Sequence, residues 1–179
     1  MNTLSRLCLA LALALPLVLA TPARADEKNG LSVLVTKTTL EKSGKRSEYS
    51  SYERTNKTQA LKVTVKNISF KPMPEGEMKW KILVVGSYSS TLYTGVEKVN
   101  ALKPAESQEL IIGAAEVTAW RDYSSRGGDK TEHQIVIKQG NSEIIRTQTN
   151  PAFEAMAKRA INANAGHDEN RWGGDAEKK

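Results

Sequence analysis

Cysteine is almost absent from this chain of 179 residues: Cys8 is the single one, near the start of an N-terminal apolar run. Everything after that run therefore lacks disulfide staples, thiol nucleophiles and cysteine-ligated metals. Histidine is scarce as well. A Ser-His-Asp triad would need His133 or His167 as its base; His133 opens a strand-like segment, His167 lies in a polar tail, and neither stands beside an obvious nucleophile. There is no G-x-S-x-G elbow, P-loop, H-E-x-x-H or dinucleotide-binding glycine pattern. Glutamates are scattered on polar faces, so no pair is marked out for glycosidic chemistry. His167-Asp168-Glu169 is a run of ligand-type side chains, but adjacent tail residues make a poor metal site, and no calcium-loop pattern occurs. These absences lead us to expect no catalytic residues, no metal and no cofactor.

The N-terminus carries a targeting pattern. Arg6 supplies a positive start, Leu7 to Ala20 an apolar run, and Ala23-Arg24-Ala25 an A-x-A cleavage site. The run falls short of the ~20 residues of a membrane span, and the Ala- and Leu-rich composition resembles bacterial Sec signals. Residues 1–25 are thus expected to be cleaved, leaving no transmembrane segment and a periplasmic or secreted product. The remaining 179 − 25 = 154 residues suffice for one domain. The net charge of +6 includes Arg6 and Arg24, so that product carries +6 − 2 = +4. Between Lys37 and Lys71 there are nine Lys/Arg against three Glu. A basic face can meet nucleic acid, anionic lipid or acidic glycan. Here the cations alternate with β-formers and read as the wet side of strands, and export makes nucleic acid a poor partner.

The clearest strand pattern spans Ala60 to Gly86. Leu61, Val63 and Val65 alternate with Lys62, Thr64 and Lys66; after the turn Pro72-Met73-Pro74-Glu75-Gly76, Met78, Trp80, Ile82 and Val84 share one face. Ile68 and Phe70 break the odd phase, which predicts a bulge or bend near Asn67. Leu31, Val33 and Val35 mark an earlier strand, after a polar start at residues 26–30. Glu41 to Thr58 reads as either an edge strand or a loop. Later strands are expected over Tyr88 to Val99, at Leu110-Ile111-Ile112 with Gly113 as its end, and at Val117 to Arg121.

Gly140-Asn141 joins Ile135–Gln139 to Ser142–Arg146 as a two-residue hairpin, with Ile137 expected opposite Ile144, Val136 opposite Ile145 and Lys138 opposite Glu143. Helical signals come only at the end: Asn150 as cap, Pro151 as first residue, and a stripe of Phe153, Met156, Ala157, Ala160 and Ile161. Glu154 and Lys158 are spaced as an i,i+4 pair, and Gly166 is a stop. Seven or eight strands without an internal helix predict an all-β fold, an antiparallel β-sandwich over 26–150, with a short helix at 151–165 and a disordered polar tail at 166–179. A closed barrel is the alternative.

Leu61–Asn67, Met78-Lys79-Trp80-Lys81-Ile82, the turn Leu102–Ser107 and Gln134 to Arg146 followed by Asn150-Pro151 together resemble the immunoglobulin-like or fibronectin-III-like domains of exported bacterial proteins. The resemblance covers about Leu31 to Phe153 and implies an architecture, not an activity. The disulfide of antibody domains is missing, with Trp80 available as the core aromatic.

A three-fold Tyr-Ser-Ser is the most distinctive motif: Tyr49-Ser50-Ser51, Tyr88-Ser89-Ser90 and Tyr123-Ser124-Ser125. Tyrosine offers rigid amphipathic area and serine adaptable hydrogen bonds, the pairing of recognition loops; the same residues are also ordinary strand-end formers. Tyr49, Tyr88, Trp120, Tyr123 and Arg126 are therefore the candidate binding residues. The expected function is a non-catalytic binding or structural accessory module. Its partner would be a protein or glycan of the cell envelope, with no nucleic acid. The alternatives are a carbohydrate- or peptide-binding domain using the Tyr/Ser loops, or an enzyme of unfamiliar type, which would need a deep pocket around His133 or paired carboxylates.

Overall fold

Alternation of β-branched residues with lysine and threonine builds long strands whose two faces meet different surroundings. The computed structural model of the protein describes residues 25–46, 53–87, 89–123 and 125–169. The expected signal peptide up to Arg24, Tyr49, Tyr88, Ser124 and the tail from residue 170 lie outside these. The strands are β1 (Asp26–Lys28), β2 (Leu31–Arg46), β3 (Glu53–Asn67), β4 (Gly76–Val85), β5 (Ser90–Val99), β6 (Ser107–Arg121), β7 (Arg126–Gly128), β8 (Lys130–Gln139) and β9 (Ser142–Gln148), followed by helix α1 (Phe153–Glu169). One sheet has the order β1-β2-β3-β6-β7, the other β5-β4-β8-β9, and all neighbours are antiparallel. The fold is a two-sheet antiparallel sandwich with one C-terminal helix.

The sandwich core is formed by the inward faces the period-2 pattern marks. Leu31 and Val33, Leu61, Val63 and Val65, and Met78, Ile82 and Val84 meet Ile112, Ile135, Ile137 and Ile145, with Trp80 and Tyr93 at its edge. A second apolar layer lies on the outer face of the four-stranded sheet. There α1 covers Leu83, Val85 and Leu92 with Phe153, Met156, Ala157 and Ala160. Asn150 caps the helix by accepting the Ala152 N–H at 2.9 Å. The helix runs through Gly166, because an isolated helical glycine costs only about 1 kcal/mol and does not end a helix by itself. Glu154 reaches Lys81 at 3.1 Å and Arg146 at 3.7 Å, both on the sheet, where the spacing pointed to Lys158.

Several expectations change. Glu41 to Thr58 belongs to strands on both sides: β2 continues to Arg46 and β3 begins at Glu53. Gly113 does not end a strand. It takes φ +70° within β6, where two residues, Gly113 and Ala114, lie opposite Ala60, a glycine bulge. In the hairpin, Lys138 pairs with Glu143, but a bulge follows, so Ile137 faces Ile145 and Val136 faces Arg146. The shift turns Ile145 into the core and Arg146 to the outside, a gain that regular pairing forgoes. Gly140 has φ +56° while Asn141 does not go positive, as in a type II′ turn. The polar start is itself a hairpin: Asn29 (φ +52°) and Gly30 (φ +78°) form a type I′ turn between β1 and β2.

Near Asn67 the expected bulge or bend is a bend: β3 ends at Asn67 and the chain bends over residues 69–71. The Asn67 side chain is buried and donates to the carbonyls of Lys71 (2.8 Å) and Leu102 (3.0 Å) while accepting the N–H (2.9 Å) and hydroxyl (2.7 Å) of Ser69. One amide thus ties the β3–β4 connection to the β5–β6 turn. Asn67→Ala is expected to cost about 2 kcal/mol, because buried partners lose their hydrogen bonds. A shift of the urea midpoint without change in slope checks it.

Candidate functional site

The two sheets differ in reach. Gln59 of β3 meets the start of β8 through the Thr131 hydroxyl, which donates to its side-chain oxygen at 3.3 Å. Beyond that level β2, β3 and β6 continue together over residues 41–46, 53–58 and 116–121. Six residues of strand make a ribbon about 20 Å long. Its root is marked on both flanks of β3: Leu40 is an extra residue in β2, and Gly113-Ala114 is the bulge in β6. Paired bulges bend a ribbon and raise its twist. The result is a three-stranded arm, with β7 added at its far end.

Three of the five candidate binding residues fall on the distal β6–β7 hairpin of this arm. Trp120 lies opposite Gly127, Arg121 opposite Arg126, and the turn between them is closed by the Asp122 N–H on the Ser125 carbonyl at 2.8 Å. Tyr123 stands at the tip, 94% exposed. Tyr49 and Tyr88 lie outside the described residues. The strand ends that bracket them, Arg46 and Glu53 for the first, Val85 and Ser90 for the second, are on the same end of the sandwich as Tyr123.

The Trp120 indole lies flat on Gly127: a Cβ there would stand 2.5 Å from Cζ2 and 2.6 Å from Cε2. Trp80 does the same to Gly95, its partner across β4–β5. This is the aromatic covering of a strand glycine. The two differ in what lies beyond. Trp80 packs against the core between the sheets, whereas Trp120 is on the arm, half-exposed. A cavity of about 460 Å³ opens beside it, lined by Glu53, Thr55, Trp120, Arg121, Arg126 and Asp129 among others. Asp129 closes the hairpin, since its carboxylate accepts the Thr118 N–H at 2.8 Å and its own N–H donates to the Thr118 carbonyl at 2.8 Å.

Charge at the far end is uneven. Glu53, Arg121 and Arg126 are successive register partners across β3, β6 and β7. Directly opposite like charges such as Arg121 and Arg126 destabilise a ladder, and a locally unfavourable choice retained in a fold points to use. Arg121 was not among the sequence candidates. Its signal is visible only in the register, which sets it against Arg126 across a turn whose length the sequence leaves open.

His133 is elsewhere, buried at 7% exposure on β8, and does not line the cavity at Trp120. Burial, then the nearby Lys37 ammonium, lower its pKa to about 4 against the pull of Glu132 and Asp26. Its Nδ1 has no hydrogen-bond partner among the described residues. Lys37 donates to the Thr131 carbonyl at 2.6 Å. Among the described residues, no three His, Asp or Glu side chains gather as a metal site would need.

No protein-family model and no curated protein matches the chain. Among solved structures it is similar to part of a Bacteroides uniformis beta-glucuronidase, at 11% identity and TM-score 0.36, covering 64% of this chain and 12% of that one. A second structure, Bacteroides uniformis beta-glucuronidase 2 covalently bound to cyclophellitol-6-carboxylate aziridine, aligns at 10% identity and TM-score 0.35 over the same shares. The likeness is a distant one of β-sandwich fold. The chain spans about an eighth of those proteins.

Proposed function

We propose that this protein is an exported, non-catalytic binding module that recognises an acidic glycan of the cell envelope through the distal hairpin of its arm. The observation that carries the reading is that Trp120, Arg121, Tyr123 and Arg126 belong to one hairpin end, where Trp120, Arg121 and Arg126 line one cavity. An indole held flat by Gly127 offers the apolar platform that sugar rings pack against. The two guanidiniums offer planar, charge-assisted hydrogen bonds to carboxylates. Tyr123 adds amphipathic area at low entropy cost. Crossings between the sheets after β3, β5 and β7 support the finer likeness to immunoglobulin-like domains. Export rests on the N-terminal pattern of Arg6, the apolar run and Ala23-Arg24-Ala25.

The test is retardation of the purified protein in native gels containing polygalacturonate, against gels containing neutral dextran. Retardation is expected in the acidic gel. Arg126→Ala and Tyr123→Ala, both at exposed positions, are each expected to weaken it about 10-fold, the worth of a charge-assisted bond or an aromatic contact. Retardation that survives the double variant sinks this site, and retention on an acidic peptide alone turns the reading to a protein partner.

A further inference from the structure

At the end of the sandwich opposite the arm, the connection from β3 to β4 presents Phe70 at 100% exposure, with Ile68 at 44% beside it. A fully exposed phenylalanine contributes nothing to the folded core, so its whole apolar surface is available to something outside the chain. Its neighbours are held. The Asn67 amide donates to the Lys71 carbonyl at 2.8 Å and accepts the Ser69 hydroxyl at 2.7 Å, and the Ile68 N–H donates to the Gly30 carbonyl at 2.8 Å. Gly30 packs so closely on Ser69 that a Cβ would stand 2.8 Å from its side chain. Phe70 is therefore mounted on a braced tip.

The charge around this tip is mostly positive. The segments joined to it by hydrogen bonds are 28–31, 66–71 and 102–106. They carry Lys28, Lys66, Lys71 and Lys103 against a single carboxylate, Glu106. That carboxylate already accepts the Lys103 N–H at 2.7 Å. An apolar wedge rimmed by lysines is the pattern of peripheral binding to anionic bilayers: the rings and branches enter the interface while the cations meet headgroups. A protein partner would instead be expected to pair its own charges with both signs and to cover a broader area than one loop.

We infer that the Ile68–Phe70 tip docks this protein on an anionic phospholipid surface, leaving the arm directed away from it. This inference stands on residues separate from those of the proposed glycan site. The contact is one loop with its flanking lysines, which makes the proposed attachment peripheral and reversible.

Co-sedimentation with vesicles tests it. Binding is expected to vesicles of phosphatidylcholine mixed with phosphatidylglycerol, to be much weaker with phosphatidylcholine alone, and to fall as salt rises. Phe70→Ser, at a position with no role in the core, is expected to weaken binding about 10-fold or more with an unchanged thermal midpoint. Lys66→Glu with Lys71→Glu is expected to abolish the preference for the anionic vesicles. Ile161→Ser, equally apolar and half-exposed on α1, is the control and leaves vesicle binding as it was. Phe70→Trp should shift its fluorescence to the blue on binding. Equal binding to both vesicle types, or binding unaffected by Phe70→Ser, overturns the inference. So does Phe70-dependent capture of a protein without vesicle binding, which assigns the tip to a protein partner.

Discussion

Replacement of Phe153 by alanine is expected to lower stability by about 3–5 kcal/mol, the cost of emptying a buried phenylalanine site. Phe153 is fully buried between α1 and the outer face of the four-stranded sheet, against Leu83, Val85 and Leu92. For a domain of this size the thermal midpoint should fall by roughly 10 °C, and chemical denaturation should show the same loss. The ion pairs that join the helix to the sheet are not expected to compensate. Lys81–Glu154 and Arg146–Glu154 are exposed to solvent at both ends, and such pairs are worth about 0–1 kcal/mol. Glu154→Gln should therefore move the midpoint only slightly. A Phe153→Ala protein as stable as the parent would mean that the helix is not anchored where the structure has it.

Stability is also expected to decline as pH falls from about 6.5 toward 4, by about 3 kcal/mol in all, and then to level off so far as His133 is concerned. The sign follows from proton counts. In the folded state burial holds the His133 pKa at about 4, with the Lys37 ammonium adding to the effect; in the unfolded chain it returns to about 6.5. Between these values the unfolded state binds the extra proton, so acid favours unfolding. Above 6.5 both states are neutral and the full stability is present. Glu75, Glu143 and Glu154 have pKa values lowered mainly by hydrogen bonds to Lys98, Arg146 and Lys81. Their protonation weakens the fold as pH falls below about 5, from the ordinary carboxylate value of 4.5 downward, so the window from 6.5 to about 5 belongs to the histidine. Denaturation midpoints across that range should flatten in His133→Gln. An undiminished slope in that variant would assign the effect to another group.

Several parts of this fold were legible from residue order. Leu61, Val63, Val65, Met78, Ile82 and Val84 declare a buried face by alternation, because side chains in a strand point to opposite sides whatever the partner. Lys138 opposite Glu143 follows from the two-residue turn, and the α1 stripe from its 3.6-residue spacing. Asn29-Gly30 was an equally good turn signal for β1, obscured by the polar residues before it. What could not be read were the bulges. Ile144 and Gly113 are displaced because the whole core rewards placing Ile145 and Ala115 inward, a gain that no local propensity records.

The candidate site divides in the same way. Trp120, Tyr123 and Arg126 stand close in sequence and belong to one hairpin. Arg121 joins them only through pairing, and the arm itself exists because β2, β3 and β6 outrun the strands of the other sheet. Sequence by itself determined the β class, the buried faces and the terminal helix, since each depends on residue type and period alone. Tertiary structure alone decided how far each strand extends, which glycine lies beneath which tryptophan, and that Tyr123 and Phe70 crown opposite ends of the domain. Those relations depend on contacts between residues far apart in the chain, where the free energy of packing, and not local preference, selects the register.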